Sequence, residues 1–306
     1  MPPAAHTIVA LFGPTGVGKT AVAIALAERL RAEGEDPVAV SADALQVYSG
    51  LETLTGAPSA DERARLEHRL VGFLPVTDTF SAGAYARLAH AEIDALLQAA
   101  RRPLVVGGTG LYLRAALAEL DLRPPVPAKV RDRRARELAV HGAAALHAQL
   151  PAEVRAGIRP TDSQRILRAL ELLDAGERPP PPAGAPSQLW TTETRRPTLL
   201  AGLVMDRAAL GERIDRRVAG MVAAGAIAEV RAADAAGASR TARAALGFAE
   251  LLAGDVDAMR VRTRRYAKRQ LTWMRKLPGV LTVDLTNRAP ADAAAEVHAA
   301  LRAREA

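Results

Sequence analysis

Residues 7–20 read TIVALFGPTGVGKT, and this stretch decides the fold class. The apolar run 7–12 is typical of a short buried β-strand, and a helical pattern at 19–32 follows it and ends before Gly34. Between them, residues 13–20 match G-x-x-x-x-G-K-[ST] in the strand-to-helix context that this motif requires. The glycines let the backbone wrap a polyphosphate, so that N–H groups and the helix N-terminus face the anion. The stretch therefore predicts a phosphate-binding loop.

Every residue of this loop is a candidate ligand of a diphosphate or nucleotide: Gly13, Pro14, Thr15, Gly16, Val17, Gly18, Lys19 and Thr20. Lys19 adds a positive charge, and Thr20 adds a hydroxyl suited to Mg²⁺. We therefore expect Mg²⁺ as the cofactor and Thr20 as its protein ligand. The loop alone leaves kinase, ATPase, GTPase and pyrophosphate chemistry open.

The rest of the chain alternates strands and helices. Apolar runs predict buried strands at 37–41, 103–106, 198–205 and 280–285, and helical patterns lie at 82–101, 207–236, 242–253, 257–277 and 290–304. Such alternation is typical of a parallel sheet covered by helices. Two proline clusters, at 123–127 and 178–186, bracket a segment of helical periodicity. We predict an α/β fold with a P-loop NTPase-like core, its first part at 1–120 and its second at 195–306, and a small helical domain inserted at 121–194.

A carboxylate follows the predicted strand 37–41. Asp43 would lie at the C-terminal end of a parallel strand and face the crevice beside the phosphate loop, where it could hold Mg²⁺ or act as a general base. A helix cap or a surface acid is the alternative interpretation. The strand at 103–106 instead runs into Gly-Gly-Thr-Gly without the aspartate of an ordinary phosphate-loop ATPase.

Composition excludes several protein classes. The chain has 306 residues, 49% hydrophobic and 25% charged, as in ordinary globular proteins. The absence of cysteine excludes disulfides, thiolate metal sites and cysteine nucleophiles. No segment has the length and apolar character of a signal peptide or a membrane span, so we expect a cytoplasmic protein without a membrane partner.

The net charge of +7, from 41 Lys+Arg against 34 Asp+Glu, is unevenly distributed. Between Arg260 and Lys276 eight residues are basic and none is acidic. On a helix these residues cover a broad arc, while Tyr266, Gln270 and Trp273 fall on the other side. The pattern favours a nucleic-acid partner. The alternative is a solvated face that acids elsewhere in the chain balance.

Seven motifs in chain order resemble one family, the tRNA dimethylallyltransferases, also called tRNA isopentenyltransferases. They are GPTGVGKT at 13, SADALQVY at 41, VVGGTGLYLRA at 105, DSQRILRALEL at 162, ERIDRRV at 212, LGFAEL at 246 and TRRYAKRQLTW at 263. The resemblance implies transfer of a dimethylallyl group from dimethylallyl diphosphate to the exocyclic amine of the adenosine 3′ of a tRNA anticodon, with Mg²⁺ present. We accordingly expect dimethylallyl diphosphate and the tRNA anticodon stem-loop as partners, and a monomer as the active form.

The resemblance also assigns roles to individual residues. Asp43 takes the position of the family's general base, and Thr109 and Arg213 take the positions of two further catalytic residues, with Arg213 placed to stabilise the leaving diphosphate. The inserted domain would grip the anticodon stem. The positions implied to contact tRNA are Asp43, Ala44, Leu45, Gln46, Thr109, Arg131, Gln164, Arg165, Ile166, Leu167 and Arg168, and the basic segment adds Arg264, Arg265 and Lys268. The sequence departs from the family pattern at Ala44, Ala57, Thr161, Ala244 and Phe248.

Three of these candidate residues, two on a helix and one in a loop, could have a purely structural role instead. Gln164 and Arg168 could form a solvated helix face, and Thr109 could simply cap the next helix. Three rival functions also stay open at this point: a prenyltransferase acting on free AMP, ADP or ATP, a small-molecule or nucleoside kinase, and a non-catalytic RNA-binding module. The inserted segment and the basic helix argue against the first, and the missing strand-end carboxylate argues against the second.

Overall fold

The computed structural model describes residues 6–179 and 188–306. In these residues the strands are β1 (Ile8–Phe12), β2 (Pro37–Ser41), β3 (Tyr48–Ser49), β4 (His68–Arg69), β5 (Leu74–Pro75), β6 (Arg102–Gly107), β7 (Thr198–Val204) and β8 (Leu281–Asp284). Six of them form one sheet in the order β4-β2-β6-β1-β7-β8, and every neighbouring pair is parallel. The predicted α/β class with a parallel sheet is confirmed.

Fourteen α-helices accompany these strands in the described ranges. They are α1 (Lys19–Ala32), α2 (Glu52–Thr55), α3 (Ala60–Arg65), α4 (Ala82–Gln98), α5 (Gly110–Leu117), α6 (Ala128–Ala148), α7 (Ala152–Arg155), α8 (Ser163–Asp174), α9 (Arg207–Ala223), α10 (Ala226–Ala235), α11 (Arg240–Arg243), α12 (Phe248–Leu252), α13 (Val256–Met274) and α14 (Pro290–Glu305). None of the described helices is long and apolar enough to cross a membrane.

The connections place helices on both faces of the sheet. The chain passes from β1 over β6 to β2 through α1, continues to the edge strand β4, and then returns over β2 to β6 through α4. Because parallel crossovers are right-handed, these opposite movements put α1 and α4 on opposite faces. Helix α14 packs beside α1, and α5 packs beside α4. The strands β1 and β2 are fully buried between these layers.

Glycines divide two segments that the sequence pattern predicts as single helices. The segment 207–236 forms α9 and α10, because Gly225 adopts a left-handed conformation with φ of 96°. Likewise 242–253 contains only the short helices α11 and α12, with Gly247 at φ of 95° between them. A left-handed residue ends an α-helix, and apolar periodicity continues across such a break without showing it.

The chain divides into two compact units, one formed by 1–120 and 189–306 and the other by 121–188. In the second unit, α6 bends at Gly142 and α7 and α8 follow it. Its described core consists of aliphatic side chains from these helices and their connections: Leu146, Leu150, Val154, Ile158, Ile166, Leu167, Ala169 and Leu170. The proline-rich residues 180–186 of the predicted boundary lie outside the described part of the chain.

Candidate active site

Three loops leave neighbouring strands at one edge of the sheet. They follow β1, β2 and β6, and the register aligns the ends of these strands by pairing Phe12 with Gly107 and Ser41 with Val106. The backbones approach closely here, since a Cβ on Gly107 would lie 2.2 Å from the carbonyl oxygen of Ala42. The loops after β1 and β2 and the end of β6 line a single cavity of about 520 Å³, to which α9 and α13 also contribute.

The phosphate loop contributes a cation to this cavity. Lys19 Nζ donates to the carbonyl oxygens of Gly13 (3.0 Å) and Pro14 (3.1 Å). Burial and, to a smaller extent, the charge of Arg217 lower the pKa of Lys19 to about 8, while the charge of Asp43 opposes the shift. Lys19 is therefore a desolvated ammonium group beside other charged groups.

The remaining loop residues divide between the cavity and the core. Thr15, Gly16, Gly18 and Thr20 line the cavity together with Lys19. The side chain of Val17 is fully buried in the hydrophobic core, so only its backbone could meet a ligand. This loop therefore offers a ligand backbone groups, one ammonium group and the hydroxyls of Thr15 and Thr20.

Asp43 lines the same cavity and is half-buried. Its Oδ1 accepts a hydrogen bond from the backbone N–H of Leu45 at 3.0 Å, which fixes the carboxylate within its own turn. No described residue donates to Oδ2 of Asp43. Asp43 is therefore neither the cap of a helix nor an exposed surface acid, which were the alternatives left by the sequence.

Gln46 has local partners in the structure. Its Oε1 accepts from the hydroxyl of Ser41 at 3.0 Å, and its Nε2 donates to the carbonyl oxygen of Gly56 at 3.1 Å. Ala44 and Leu45 are half-buried beside Asp43. The stretch 43–46 thus forms one wall of the cavity, with Gln46 holding the following loop in place.

Thr109 lies at the N-terminus of α5, but its hydroxyl does not cap that helix. The hydroxyl lies 3.5 Å from the backbone N–H of Ala44 and 3.3 Å from the Tyr266 hydroxyl. Burial raises the pKa of Tyr266 to about 12, and the negative charge of Asp43 contributes to the rise. Tyr266 is therefore a neutral phenol that can donate a hydrogen bond across the site, a contact that the sequence pattern does not predict.

Helix α9 supplies two arginines one turn apart, Arg213 and Arg217, and both line the cavity. The guanidinium of Arg213 lies beside the phosphate loop, since a Cβ on Gly18 would be 3.2 Å from Arg213 Nη2. Burial lowers the pKa of Arg217, and its Nε is buried without a hydrogen-bond partner among the described residues. Only Arg213 is predicted from the sequence. The spacing of four residues on a helix is the signal that could have pointed to Arg217.

Helix α13 has the predicted two-sided character. Its inner face buries Ala267, Gln270 and Met274, and Tyr266 and Trp273 are half-buried, which confirms the division of the helix. Acids from outside the basic stretch pair with three of its basic residues, as the alternative interpretation of a balanced solvated face allows. The pairs are Arg260 with Asp257, Arg262 with Glu250 and Arg264 with Asp215.

The candidate RNA contacts on α13 therefore differ from one another. Arg264 is engaged by Asp215, so its charge is locally balanced and it is a weaker phosphate ligand than the sequence suggests. Arg265 and Lys268 are exposed and have no ion-pair partner among the described residues. Together with Arg269, Trp273 and Lys276 they line a shallow surface groove.

In the unit 121–188, two of the candidate tRNA-binding positions have buried side chains. The side chains of Ile166 and Leu167 are 0% and 6% exposed and pack in the core of this unit, so only the backbone of these residues could meet RNA. The 3.6-residue period of α8 directs them inward and leaves Gln164 and Arg165 exposed.

The remaining two candidates of this unit are arginines that lie close together. Arg168 donates to the carbonyl oxygens of Arg123 (3.1 Å) and Pro124 (2.7 Å), so it also holds the start of this unit in place. Burial lowers the pKa of Arg168, and repulsion from the charge of Arg131 contributes to the shift. The Nε of Arg131 is buried without a partner among the described residues. An anion already lies near this pair, since Arg168 Nη1 is 3.9 Å from Glu171 Oε2.

The geometry can be compared with known proteins. The model of the IPP transferase family matches residues 46–277, which is more than half of the chain. A tRNA dimethylallyltransferase of Thermobifida fusca is 41% identical, and the match covers 90% of this chain and 88% of the relative. The chain belongs to the IPP transferase family. A second relative, the tRNA dimethylallyltransferase of Rhodospirillum centenum, is 42% identical over 89% of this chain and 90% of its own length.

A solved IPP transferase structure extends the likeness to the fold. The crystal structure of the full-length tRNA isopentenylpyrophosphate transferase from Bacillus halodurans is 29% identical, with a TM-score of 0.70, and the match covers 97% of this chain and 96% of that one. The likeness to IPP transferases therefore includes both the core and the inserted segment. The resemblance stated from the seven motifs is confirmed.

Proposed function

We propose that this chain transfers a dimethylallyl group from dimethylallyl diphosphate to the exocyclic amine of the adenosine 3′ of the anticodon in tRNA. One observation carries the proposal beyond family membership. A phosphate-binding loop with Lys19, a pair of arginines on α9 and the carboxylate of Asp43 line one cavity of about 520 Å³. This arrangement suits a reaction in which an anion leaves on one side and a proton leaves on the other.

On the donor side, the bond between C1 of the dimethylallyl group and the diphosphate oxygen breaks, and its electron pair goes to that oxygen. Lys19, Arg213 and Arg217 would balance the developing negative charge, and the backbone N–H groups of the loop other than those of Thr15 and Val17 would donate to the diphosphate. No phosphoryl group moves in this reaction. The aspartate of a phosphate-loop ATPase after β6 is therefore not needed.

On the acceptor side, the adenine amine forms the new C–N bond. This amine is a poor nucleophile, so a base that accepts its proton as the bond forms lowers the barrier. Asp43 would be that base, since the Leu45 N–H holds Oδ1 and leaves Oδ2 for the proton. Thr109 and Tyr266 would orient the amine or the base through their adjacent hydroxyls.

Mg²⁺ would bind in this cavity mainly through the oxygens of the diphosphate. Among the described residues no group of three or more His, Cys, Asp or Glu side chains could hold a metal ion. Mg²⁺ retains waters and is commonly held through substrate phosphates with one or two protein ligands, and the Thr20 hydroxyl in the cavity wall meets that need. When bound, the ion would add positive charge at the leaving group.

RNA binding would use two surfaces. Arg265 and Lys268 on the outer face of α13 are exposed cations suited to backbone phosphates. In the unit 121–188, Gln164 and Arg165 are exposed on α8, and the Nε of Arg131 has no partner in the part of the chain that the structure describes. The target adenosine must leave the anticodon-loop stack to reach the cavity, as for other enzymes that modify a base.

The experiment that tests the proposal uses purified protein, Mg²⁺ and dimethylallyl diphosphate with unmodified tRNA, AMP or ATP in separate reactions. Nucleoside mass spectrometry then detects the product. We expect isopentenyladenosine only with tRNA. Prenylated AMP or ATP would show that the acceptor is a mononucleotide and not tRNA. Phosphoryl transfer from ATP without prenylation would show that the protein is a kinase.

A further inference from the structure

A buried glutamine on α13 connects the phosphate loop with the loop that follows β6. Gln270 is 5% exposed. Its Oε1 accepts a hydrogen bond from the backbone N–H of Thr15 at 2.8 Å, and its Nε2 donates to the carbonyl oxygen of Gly108 at 2.7 Å. One side-chain amide therefore bridges the loop after β1 and the loop after β6.

The fit around this amide is tight. A Cβ on Gly108 would lie 2.3 Å from Gln270 Nε2 and 3.4 Å from Lys19 Nζ, so any other residue at 108 would displace the glutamine. The amide can adopt only one orientation, because its flip would place an N–H group against the Thr15 N–H and an oxygen against the Gly108 carbonyl. Both ends of the bridge are thus fixed by backbone groups.

The two loops serve opposite halves of the proposed reaction. Thr15 belongs to the loop that would hold the diphosphate, and Gly108 immediately precedes Thr109, whose hydroxyl lies near Ala44 and Tyr266 on the acceptor side. Gln270 does not need to touch a substrate to matter. Its two hydrogen bonds set how far the donor loop lies from the acceptor loop.

We propose that Gln270 is a positioning residue, which holds the diphosphate loop and the Thr109 loop at the spacing that the transfer requires. This inference rests on the proposed function. Only glutamine has both the length and the donor–acceptor pair for the bridge. Glutamate keeps the acceptor for Thr15 but presents a second oxygen to the Gly108 carbonyl, and methionine has a similar length without either hydrogen bond.

The test compares Gln270→Met and Gln270→Glu with the wild type, and uses Gln98→Met as the matched control, since Gln98 is exposed at the end of α4. For each protein we would measure the single-turnover rate of transfer to tRNA, the affinity for inorganic pyrophosphate and the hydrogen–deuterium exchange of peptides covering 13–16 and 107–110. We expect both Gln270 variants to lose roughly 100-fold in rate, because a small misplacement of reacting groups has that effect. Pyrophosphate affinity should change by less than about threefold, and exchange should rise in both peptides.

A merely structural role for Gln270 makes different predictions. If a folded variant keeps the wild-type rate, or if exchange in the two peptides is unchanged, the positioning role is wrong. An equal loss of rate and pyrophosphate affinity would mean collapse of the phosphate loop and would also overturn it. Should Gln270→Met fail to fold, Gln270→Glu still decides the question. An inactive wild type would refute the proposed function, and the exchange measurement would continue to test the bridge.

Discussion

The ionisation of Lys19 should control diphosphate binding within an accessible pH range. Burial lowers its pKa to about 8 from the ordinary 10.5, and a lysine must be protonated to stabilise a polyanion. A group of pKa about 8 is about nine-tenths protonated at pH 7 and about one-tenth protonated at pH 9. The affinity for pyrophosphate should therefore fall about tenfold between these pH values, which is a loss of about 1.4 kcal/mol in binding free energy.

Isothermal titration calorimetry with inorganic pyrophosphate from pH 7 to pH 9 measures this effect. The Lys19→Arg variant is the matched control, because its guanidinium stays charged throughout, and the ratio of the two affinities cancels the titration of pyrophosphate itself. The ratio of wild-type affinity to variant affinity should be above one at pH 7 and should fall about tenfold by pH 9. A constant ratio would mean that Lys19 keeps its ordinary pKa, and it would refute the account of a desolvated lysine in this cavity.

Three further outcomes follow from particular contacts. Arg102→Met should lower the free energy of unfolding by about 1.5–3 kcal/mol in thermal or denaturant unfolding, because the carboxylates of Glu35 and Glu305 would lose the 2% exposed guanidinium and keep that of Arg302 as a partner. In the double variant with Arg265→Glu and Lys268→Glu, the slope of log tRNA affinity against log salt concentration should become shallower by roughly 1–2. Arg264→Glu should change this slope less, because Asp215 already neutralises the charge of Arg264. Slopes equal to that of the wild type in all variants would mean that the basic residues of α13 only face solvent. Gly107→Ala should reduce the single-turnover rate, because the added Cβ would lie 2.2 Å from the backbone oxygen of Ala42. An unaltered rate would show that the backbone at the ends of β2 and β6 can shift without affecting the reaction.

The sequence predicts best those elements in which a short apolar pattern lies directly next to residues that favour a turn. Helix α1 and strand β2 have the predicted bounds, since each lies in a short apolar pattern next to a turn signal. Strand β4 has two residues and pairs with β2 only in the folded chain, so no periodicity marks it. The glycine breaks at Gly225 and Gly247 are visible in the sequence, but their left-handed conformation is not.

At the candidate site, local sequence patterns likewise do not show contacts that form only in the folded chain. A motif taken as a contiguous run does not show that helix geometry directs the side chains of Ile166 and Leu167 into the core. Arg264 looked unpaired because Asp215, its partner, lies on a different helix. Arg217 and Gln270 have roles that depend on the packing of α9 and α13 against the loops, and such contacts over long sequence separations cannot be obtained from local patterns.

In the proposed reaction, Asp43 removes the proton from the adenine amine in the cavity that would hold the diphosphate. The most direct measurement is the single-turnover rate of isopentenyladenosine formation by Asp43→Asn, together with its affinity for unmodified tRNA. General-base catalysis contributes about 10²–10⁴-fold to a rate. We expect a loss of that size with tRNA affinity within about threefold of the wild type. A wild-type rate in the variant, or a loss of tRNA affinity that accounts for the whole effect, would contradict the assignment.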